Sequence, residues 1–399
     1  MTGSRNTAVS RGPFRRLLAL VLFALSALGV RASRAQSVDA EVGTQVFLEP
    51  SPVSKMTVIS PRASVAATLS ENWGVNAGYS ADIVSGASEV IKAGPLLSAQ
   101  PDIVSQASVT DQRHVINGGI SATHEHTKVD LGYSYGFEND YRSNAISVSA
   151  LTDFFQRNTQ LGIAYSHAFD KVCDLNQPGL ATTLRSALDS SEGCFSKSVR
   201  VTTDDIALDN VQASWTQSWT PVMLTQLAFT GALQHGFLGN PYREVVLGPT
   251  GQSAQENHPH DRARGAMTLR LKYYFKGPQT MVGGQVRGYG DSWDILSQSY
   301  ELEVERYMMP WLRLRVHGRY YSQTGASFWS DDYTGGEPRF GARGQYWSGD
   351  RELSPLRTVM IGGRLLGSWH GQNGERLAGM VTTFSAGLSL DITKTFLDD

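Results

Sequence analysis

The segment from Phe384 to Phe396 repeats with a period of two. Phe384, Ala386, Leu388, Leu390, Ile392 and Phe396 fall on one face, and Ser385, Gly387, Ser389, Asp391, Thr393 and Thr395 on the other. Successive side chains of a β-strand point to opposite faces, so this segment is a wall with an apolar side and a wet side. Only Lys394 interrupts the apolar face, near the end, where a long stem can carry its ammonium to an interface. The pattern recurs along the chain. Trp73, Val75, Ala77, Tyr79, Ala81 and Ile83 oppose Asn76, Ser80 and Asp82. Val129, Leu131, Tyr133, Tyr135 and Phe137 oppose Asp130, Ser134, Glu138 and Asp140. Leu161, Ile163, Tyr165 and Phe169 repeat it, as do Met267, Leu269, Leu271, Tyr273 and Phe275 against Arg264, Thr268, Arg270, Lys272 and Lys276. No helical period competes.

The alternation predicts strands near residues 40–49, 55–69, 73–87, 107–123, 128–140, 143–156, 159–172 and 204–218. The second half adds 222–238, 264–276, 280–293, 296–308, 311–328, 340–353, 357–369 and 380–396. The total is about sixteen, an even number as bacterial single-chain barrels require. Short turns fall near Glu71-Asn72, Glu125, Arg157-Asn158, Thr220-Pro221, Gly277-Pro278, Pro310 and Pro355. Long connections near 88–106, 173–203, 239–263 and 329–339 mostly occupy the alternate positions. Short periplasmic turns and long outer loops are the asymmetry of an all-β transmembrane antiparallel β-barrel, and an even count places both termini in the periplasm. A soluble β-sandwich would also bury one face of each strand. Outward faces that are apolar and aromatic on nearly every segment, over this length and without helices, favour the barrel.

The amino terminus agrees with export. Arg5, Arg11, Arg15 and Arg16 precede an apolar run from Leu17 to Val30, followed by the small-residue site Ala32-Ser33-Arg34-Ala35. This is the layout of a secretory signal peptide, residues 1–35, with cleavage after Ala35, leaving a barrel domain over 36–399. The run is too short for a confident membrane span, and no cysteine lies near the cut for lipid attachment. Removing the six arginines of the first 35 residues leaves 29 Lys and Arg against 37 Asp and Glu. A mature chain with that acidic excess argues against a nucleic-acid-binding surface. The mean hydropathy of -0.24 suits a soluble protein, yet barrels hide their apolar content in alternate positions.

Cys173 and Cys194 flank a stretch without periodicity, and export to an oxidising compartment predicts a disulfide between them. The sharpest chemistry lies in segments 296–308 and 311–328. If Tyr300, Leu302 and Val304 face lipid, then Glu301, Glu303 and Glu305 face the lumen; by the same rule Leu312, Leu314 and Val316 turn Arg313, Arg315, His317 and Arg319 inward. Opposite charges across neighbouring strands contribute only about 0.2–1 kcal/mol each, so the ladder matters more as a polar wall than as a stabiliser. Arg270, Lys272 and Arg287, with Arg262, Arg264 and Arg364, add positive charge to the same interior. Small inward residues of the first half, among them Ser147, Ser149, Gly162, Ala164 and Ser166, leave that side roomier.

Catalytic readings are weak. His124-Glu125-His126 and His258-Pro259-His260-Asp261 bring imidazoles together in turns without an evident fourth metal ligand, and exposed polar turn residues are the simpler reading of both. Asp204-Asp205 and Asp331-Asp332 are equally thin as calcium sites, and no local motif marks a hydrolase. The chain is therefore expected to be neither an enzyme nor cofactor-dependent.

Four segments carry a family resemblance: Ser80-Ala81-Asp82-Ile83-Val84-Ser85-Gly86-Ala87-Ser88, Gly236-Phe237-Leu238-Gly239-Asn240-Pro241-Tyr242-Arg243, Tyr289-Gly290-Asp291-Ser292-Trp293, and the run from Arg319 to Phe328. Glu138-Asn139-Asp140-Tyr141-Arg142-Ser143 and Arg157-Asn158-Thr159 fit as well. Together they resemble the outer-membrane barrel family catalogued as domain of unknown function 3570, over most of the mature chain. The segment from Trp347 to Leu353 is looser than the family pattern, and Leu397-Asp398-Asp399 extends past the final aromatic. The resemblance implies a barrel in a Gram-negative envelope, often taken to be a channel, with no established substrate. The expected partners are outer-membrane lipids and the barrel assembly machinery, with periplasmic or envelope proteins as further candidates. Two functions follow: a porin-like channel passing small hydrophilic solutes through a charged lumen, or a structural barrel that docks periplasmic or secreted envelope partners.

Overall fold

The computed structural model describes residues 37–50, 55–85, 91–93, 103–105, 110–174, 194–195, 202–247, 252–330, 346–370, 376–377, 380–381 and 383–397. The expected signal peptide lies outside the described residues. In chain order the strands are β1 (Ser37–Pro50), β2 (Lys55–Thr68), β3 (Trp73–Ser85), β4 (Ile91–Ala93), β5 (Ile103–Ser105), β6 (Thr110–His124) and β7 (Thr127–Phe137). There follow β8 (Tyr141–Phe154), β9 (Thr159–Asp174), β10 (Thr202–Thr220), β11 (Met223–Gly236), β12 (Glu244–Leu247), β13 (Gln252–Gln255) and β14 (Asp261–Phe275). The last are β15 (Thr280–Asp291), β16 (Leu296–Met309), β17 (Leu312–Gln323), β18 (Leu356–His370), β19 (Arg376–Leu377), β20 (Met380–Val381) and β21 (Thr383–Leu397).

Fifteen of these strands form one antiparallel sheet in the order β1-β2-β3-β6-β7-β8-β9-β10-β11-β14-β15-β16-β17-β18-β21. Each long strand pairs with the next long strand in the chain, so the sheet is a simple meander. The long strands run from 11 to 19 residues, enough to cross a bilayer core when tilted. Period-two alternation rich in Val, Ile, Leu and aromatics explains them, since side chains on a pleated surface pack against cross-strand neighbours. The interrupting Lys394 sets its ammonium 4.9 Å from the Phe396 ring. Tight reversals need unusual backbone: Glu125 turns the chain between β6 and β7 at a φ of 51°. Where β11 leaves the sheet, Gly236 has a φ of 112°, and a Cβ there would meet the Asp205 carbonyl oxygen at 2.0 Å.

Turns 69–72, 125–126, 155–158, 221–222, 276–279 and 310–311 share one end of the sheet with the connection 371–382. The long connections 86–109, 175–201, 237–260 and 324–355 share the other. At that end β4, β5, β12 and β13 make a second, four-stranded sheet.

The expected strand over 340–353 differs. Residues 340–345 lie outside the described set, and 346–353 join no ladder. Trp347 and Ser348 make isolated bridges to Asn257 and Trp329, and Arg351–Leu353 forms a 3-10 turn capped by Asp350. The reason is competition from long-range hydrogen bonds to the connection 237–260. The Trp347 indole donates to the Gln255 carbonyl at 2.9 Å, while Ser348 Oγ and the Gly349 amide donate to Glu256 Oε1 at 2.9 and 3.0 Å. Pro355 consequently closes a long connection rather than a short turn.

The described sheet therefore has fifteen strands, not sixteen. An odd count puts the start of β1 at the short-turn end and the end of β21 at the long-loop end, so the two termini of the sheet do not share a side. Among the described residues no ladder joins β1 to β21.

A buried cluster of Trp293, Ile295, Ala326, Phe328 and Leu353 sits at the long-loop end. At the same end of the sheet, the disulfide joins Cys173, at the end of β9, to Cys194 with a Cα separation of 5.6 Å. It holds Phe195 under the Arg142 guanidinium, 4.3 Å from the ring centre, and the Cys173 amide donates to Asp140 O at 2.8 Å. Closing a loop of this length contributes about 3 kcal/mol by chain entropy. Unreduced peptide maps should link Cys173 to Cys194. Replacing both by Ser should leave the sheet folded and speed protease cleavage within 175–201; a variant unable to fold would make the bridge structural for the whole sheet.

Candidate functional site

The two faces of the sheet are chemically different. On one, Leu302, Val304, Val316, Ile361, Leu388, Leu390 and Ile392 are exposed, as are Ile116, Leu131, Ile163 and Leu269 farther along. Trp73, Phe154, Phe155, Trp219, Tyr273, Phe275 and Trp311 stand exposed at the short-turn end, forming an aromatic border. Tyr133 and Phe169 are exposed nearer the long loops.

The opposite face carries every charged residue expected to line a lumen. Glu301, Glu303 and Glu305 of β16 stand directly across from Arg319, His317 and Arg315 of β17. Arg313 belongs to the same face, and so do Arg270 and Lys272 of β14 and Arg287 of β15. The contacts are more selective than the register. Glu303 is the hub: Lys272 Nζ reaches it at 2.8 Å from two strands away, and Arg315 pairs with its other oxygen. Arg313 pairs with Glu305 at 3.2 Å. Arg270 donates through Nε to the Gln285 amide oxygen at 2.9 Å. Arg319 has its guanidinium 5.6 Å from the Tyr321 ring centre. Among the described residues no ion pair joins Arg319 to Glu301.

Glycines make this reach possible. Lys272, Gly283, Glu303, His317, Gly362 and Asp391 form one continuous rung across six strands. A Cβ on Gly283 would stand 2.7 Å from Glu303 Oε1, and a Cβ on Gly362 would stand 1.8 Å from Asp391 Oδ1. The first notch lets Lys272 and Glu303 meet over β15; the second lets Asp391 pair with His317 at 3.3 Å over β18. Asp391 was legible only as a polar position of the last strand. Its role, like that of the glycines, depends on pairing register, which composition and spacing do not carry.

A second polar node closes the long-loop end of β15. Asp291 accepts from Arg262 Nε at 2.9 Å and from the Tyr289 hydroxyl at 2.8 Å, and its other oxygen takes the Trp293 and Ile295 amides at 3.0 Å each. The Arg262 guanidinium lies 4.1 Å from the Trp293 ring centre. Between this node and the hub, six neighbouring strands from β8 to β15 together line a cavity of about 580 Å³. One cavity touching six strands requires the sheet to curl toward the charged face. The small residues Ser147, Ser149, Ala164 and Ser166 form one wall, with Arg264, Arg287 and Tyr289 opposite.

His258 and His260 are both engaged in tertiary contacts at the long-loop end. His258 is buried, not an exposed turn residue: Nδ1 lies 3.1 Å from the Leu238 carbonyl oxygen, and its ring packs 5.4 Å from both Trp293 and Phe328. His260 Nδ1 lies 2.9 Å from the Gly236 carbonyl oxygen. Among the described residues no three His, Cys, Asp or Glu side chains converge as a metal site would need.

The fold and its faces define an all-β protein built on a meandering antiparallel sheet, apolar on one side and charged on the other. The chain belongs to the family described as protein of unknown function (DUF3570), which matches residues 18–384. No curated protein matches it. Among solved structures it is similar to the ferric yersiniabactin uptake receptor FyuA from Yersinia pestis, with 9% identity and a TM-score of 0.45 over 90% of this chain and 56% of that one. It is also similar to the ferric citrate transporter FecA in the unliganded form, with 8% identity and a TM-score of 0.45 over 91% of this chain and 55% of that one. The Pseudomonas aeruginosa protein OccK2 (OpdF), in complex with glucuronate, gives 9% identity and a TM-score of 0.39 over 91% and 95%. The chain thus spans little more than half the length of FyuA and of FecA.

The hub predicts a graded mutational response. Glu303→Gln strips two cations of their partner at a buried position and should cost about 1.5–3 kcal/mol. Glu301→Gln, at a position without an ion pair, should stay within about 0.5 kcal/mol. Urea titrations of the detergent-folded protein measure both, and equal losses would remove Glu303 from its central place.

Proposed function

We propose that the mature chain closes into an outer-membrane β-barrel of a Gram-negative envelope and passes small hydrophilic solutes through its charged lumen. The supporting observation is the contrast between neighbours on single strands: Leu302 is 69% exposed and Glu303 7%. Soluble monomers rarely expose contiguous apolar patches beyond a few hundred Å². Here exposed apolar side chains recur on strand after strand, bordered by aromatics as a bilayer interface favours. Hydrocarbon tolerates such a surface only if every backbone group is paired, which a closed sheet achieves. About fifteen strands enclose a space wide enough for water. In this reading the signal is cut near Ala35, the assembly machinery inserts the chain, the short turns lie in the periplasm and the long connections lie outside.

The packed long-loop end favours a second reading, a barrel that docks periplasmic or secreted envelope partners and conducts nothing. There the connections 237–260 and 324–355 interlock through Glu256, Trp347, Ser348 and an Arg243–Asp350 ion pair. Single-channel recordings separate the two readings: stable conductance steps support the pore, and a silent, folded barrel supports the scaffold.

Two outcomes are expected. The protein should fractionate with outer membranes and migrate differently on gels before and after heating; recovery as a soluble periplasmic protein would sink the barrel. Replacing Glu301, Glu303 and Glu305 together by Gln should shift an open pore toward anions by an amount that shrinks at high salt. An unchanged reversal potential at low salt, in a variant shown to be folded, would remove the ladder from the conduction path.

A further inference from the structure

We infer that the cavity beside the charged ladder is a binding site for small hydroxylated organic anions, with Arg264 and Arg287 as its anion-recognising groups. The inference rests on the reading of this face as a lumen and gives that lumen a solute class. Both arginines line the 580 Å³ cavity from adjacent strands, with the Ala266–Tyr289 rung between them. Ala266 is small and buried, so nothing bulky on β14 fills the gap between the two cations.

Arg264 and Arg287 share the lack of a carboxylate partner with Arg270 and Arg319, but Arg270 is engaged by the Gln285 amide and Arg319 lies over the Tyr321 ring, whereas Arg264 and Arg287 line the cavity. Lys272 and Arg315 share Glu303, Arg313 pairs with Glu305, and Arg262 pairs with Asp291. Arg264 stands across from Asp291, but both oxygens of that acid are taken by Arg262, the Tyr289 hydroxyl and two backbone amides. Arg287 stands between Thr268 and Ser299, both neutral. Glu301 is one strand over and two residues along, opposite Gln285. Among the described residues no carboxylate lies within ion-pair distance of either guanidinium.

The facing wall has the complementary chemistry. Ser166 and Asn210 share the rung of Arg264, and Gln212 and Thr230 share that of Tyr289. Hydroxyls and amides donate and accept hydrogen bonds but add no charge. A guanidinium binds a carboxylate through paired N–H donors, and a hydroxylated chain extending from that carboxylate meets this neutral rail. The site so built discriminates a hydroxy acid from the polyol of the same length.

Gluconate and sorbitol make that comparison, because they differ by a carboxylate in place of a terminal alcohol. Titration calorimetry on the full detergent-folded protein should show saturable gluconate binding that weakens with salt, and sorbitol binding at least about tenfold weaker. Arg264→Gln and Arg287→Gln should each weaken gluconate about tenfold, with the heat-shifted gel band confirming the fold of each variant. Equal binding of the two solutes, no gluconate binding, or undiminished gluconate binding in both folded variants would overturn the site. Liposome swelling supplies the separate readout for passage. If neither solute enters while gluconate binding remains arginine-dependent, the site stands and the channel falls; if both enter at the same rate in wild type and variants and no arginine-dependent binding is seen, the channel stands and the site falls.

Discussion

The structure depends on one constraint: with a period of exactly two, each strand commits a whole set of side chains to one environment. Leu302 and Glu303 are neighbours, and a slip of one residue between β16 and its partners would turn three carboxylates out and Leu302 and Val304 in. Such a slip would break the antiparallel registers Tyr300↔Tyr320 and Glu301↔Arg319 together. Apolar residues on one face and ion pairs on the other thus enforce the same register from opposite sides. The long meander needs no conventional core, because each strand is held by neighbours whose alternation matches its own.

Within that frame the charges are arranged by what the backbone leaves out. A row of bulky side chains would keep Lys272 from Glu303, since a full strand lies between them. Gly283 removes the obstacle, and Gly362 does the same between His317 and Asp391. The result is a charged face on which Glu303 and Glu305 gather Lys272, Arg313 and Arg315, while Arg264 and Arg287 line the cavity without a carboxylate partner among the described residues. Weak individual pairs therefore matter through placement: neutralising one part of the wall leaves a net positive field on another.

Much of this was legible in the chain because the two faces of the sheet differ so sharply, apolar on one and charged on the other. All of the long strands follow from alternation alone, and Glu301, Glu303, Glu305, Arg313, Arg315, His317 and Arg319 fall on the expected face. The segment 340–353 misled because Tyr346, Trp347, Ser348 and Gly349 imitate an alternating strand while their polar atoms serve a loop. Trp347 is buried by Gln255, and Ser348 by Glu256, partners nearly a hundred positions away. His258 misled in the same way, its pairing with Trp293 and Phe328 being a tertiary event at the loop end. Pairings across an intervening strand, such as Lys272 with Glu303, require the register of three strands at once and have no signature in spacing.

The loss of one strand from the count has a geometric consequence. In an antiparallel meander of fifteen strands, β1 and β21 run in the same direction, so a wall closed by these two directly has one parallel seam in an otherwise antiparallel ladder. Parallel ladders slant their hydrogen bonds and are slightly weaker per residue, which makes such a seam the weakest line in the wall. The two edges are nonetheless matched in chemistry. Val38, Val42 and Val46 of β1 and Leu388, Leu390 and Ile392 of β21 are exposed on the same outer side. Joining the edges continues the apolar belt without a break, whereas a sixteenth strand between them would need the same alternation to avoid interrupting it. Either way, the exposed apolar face dictates the seam: any strand entering it must put apolar residues on that face at every second position, as the fifteen described strands do.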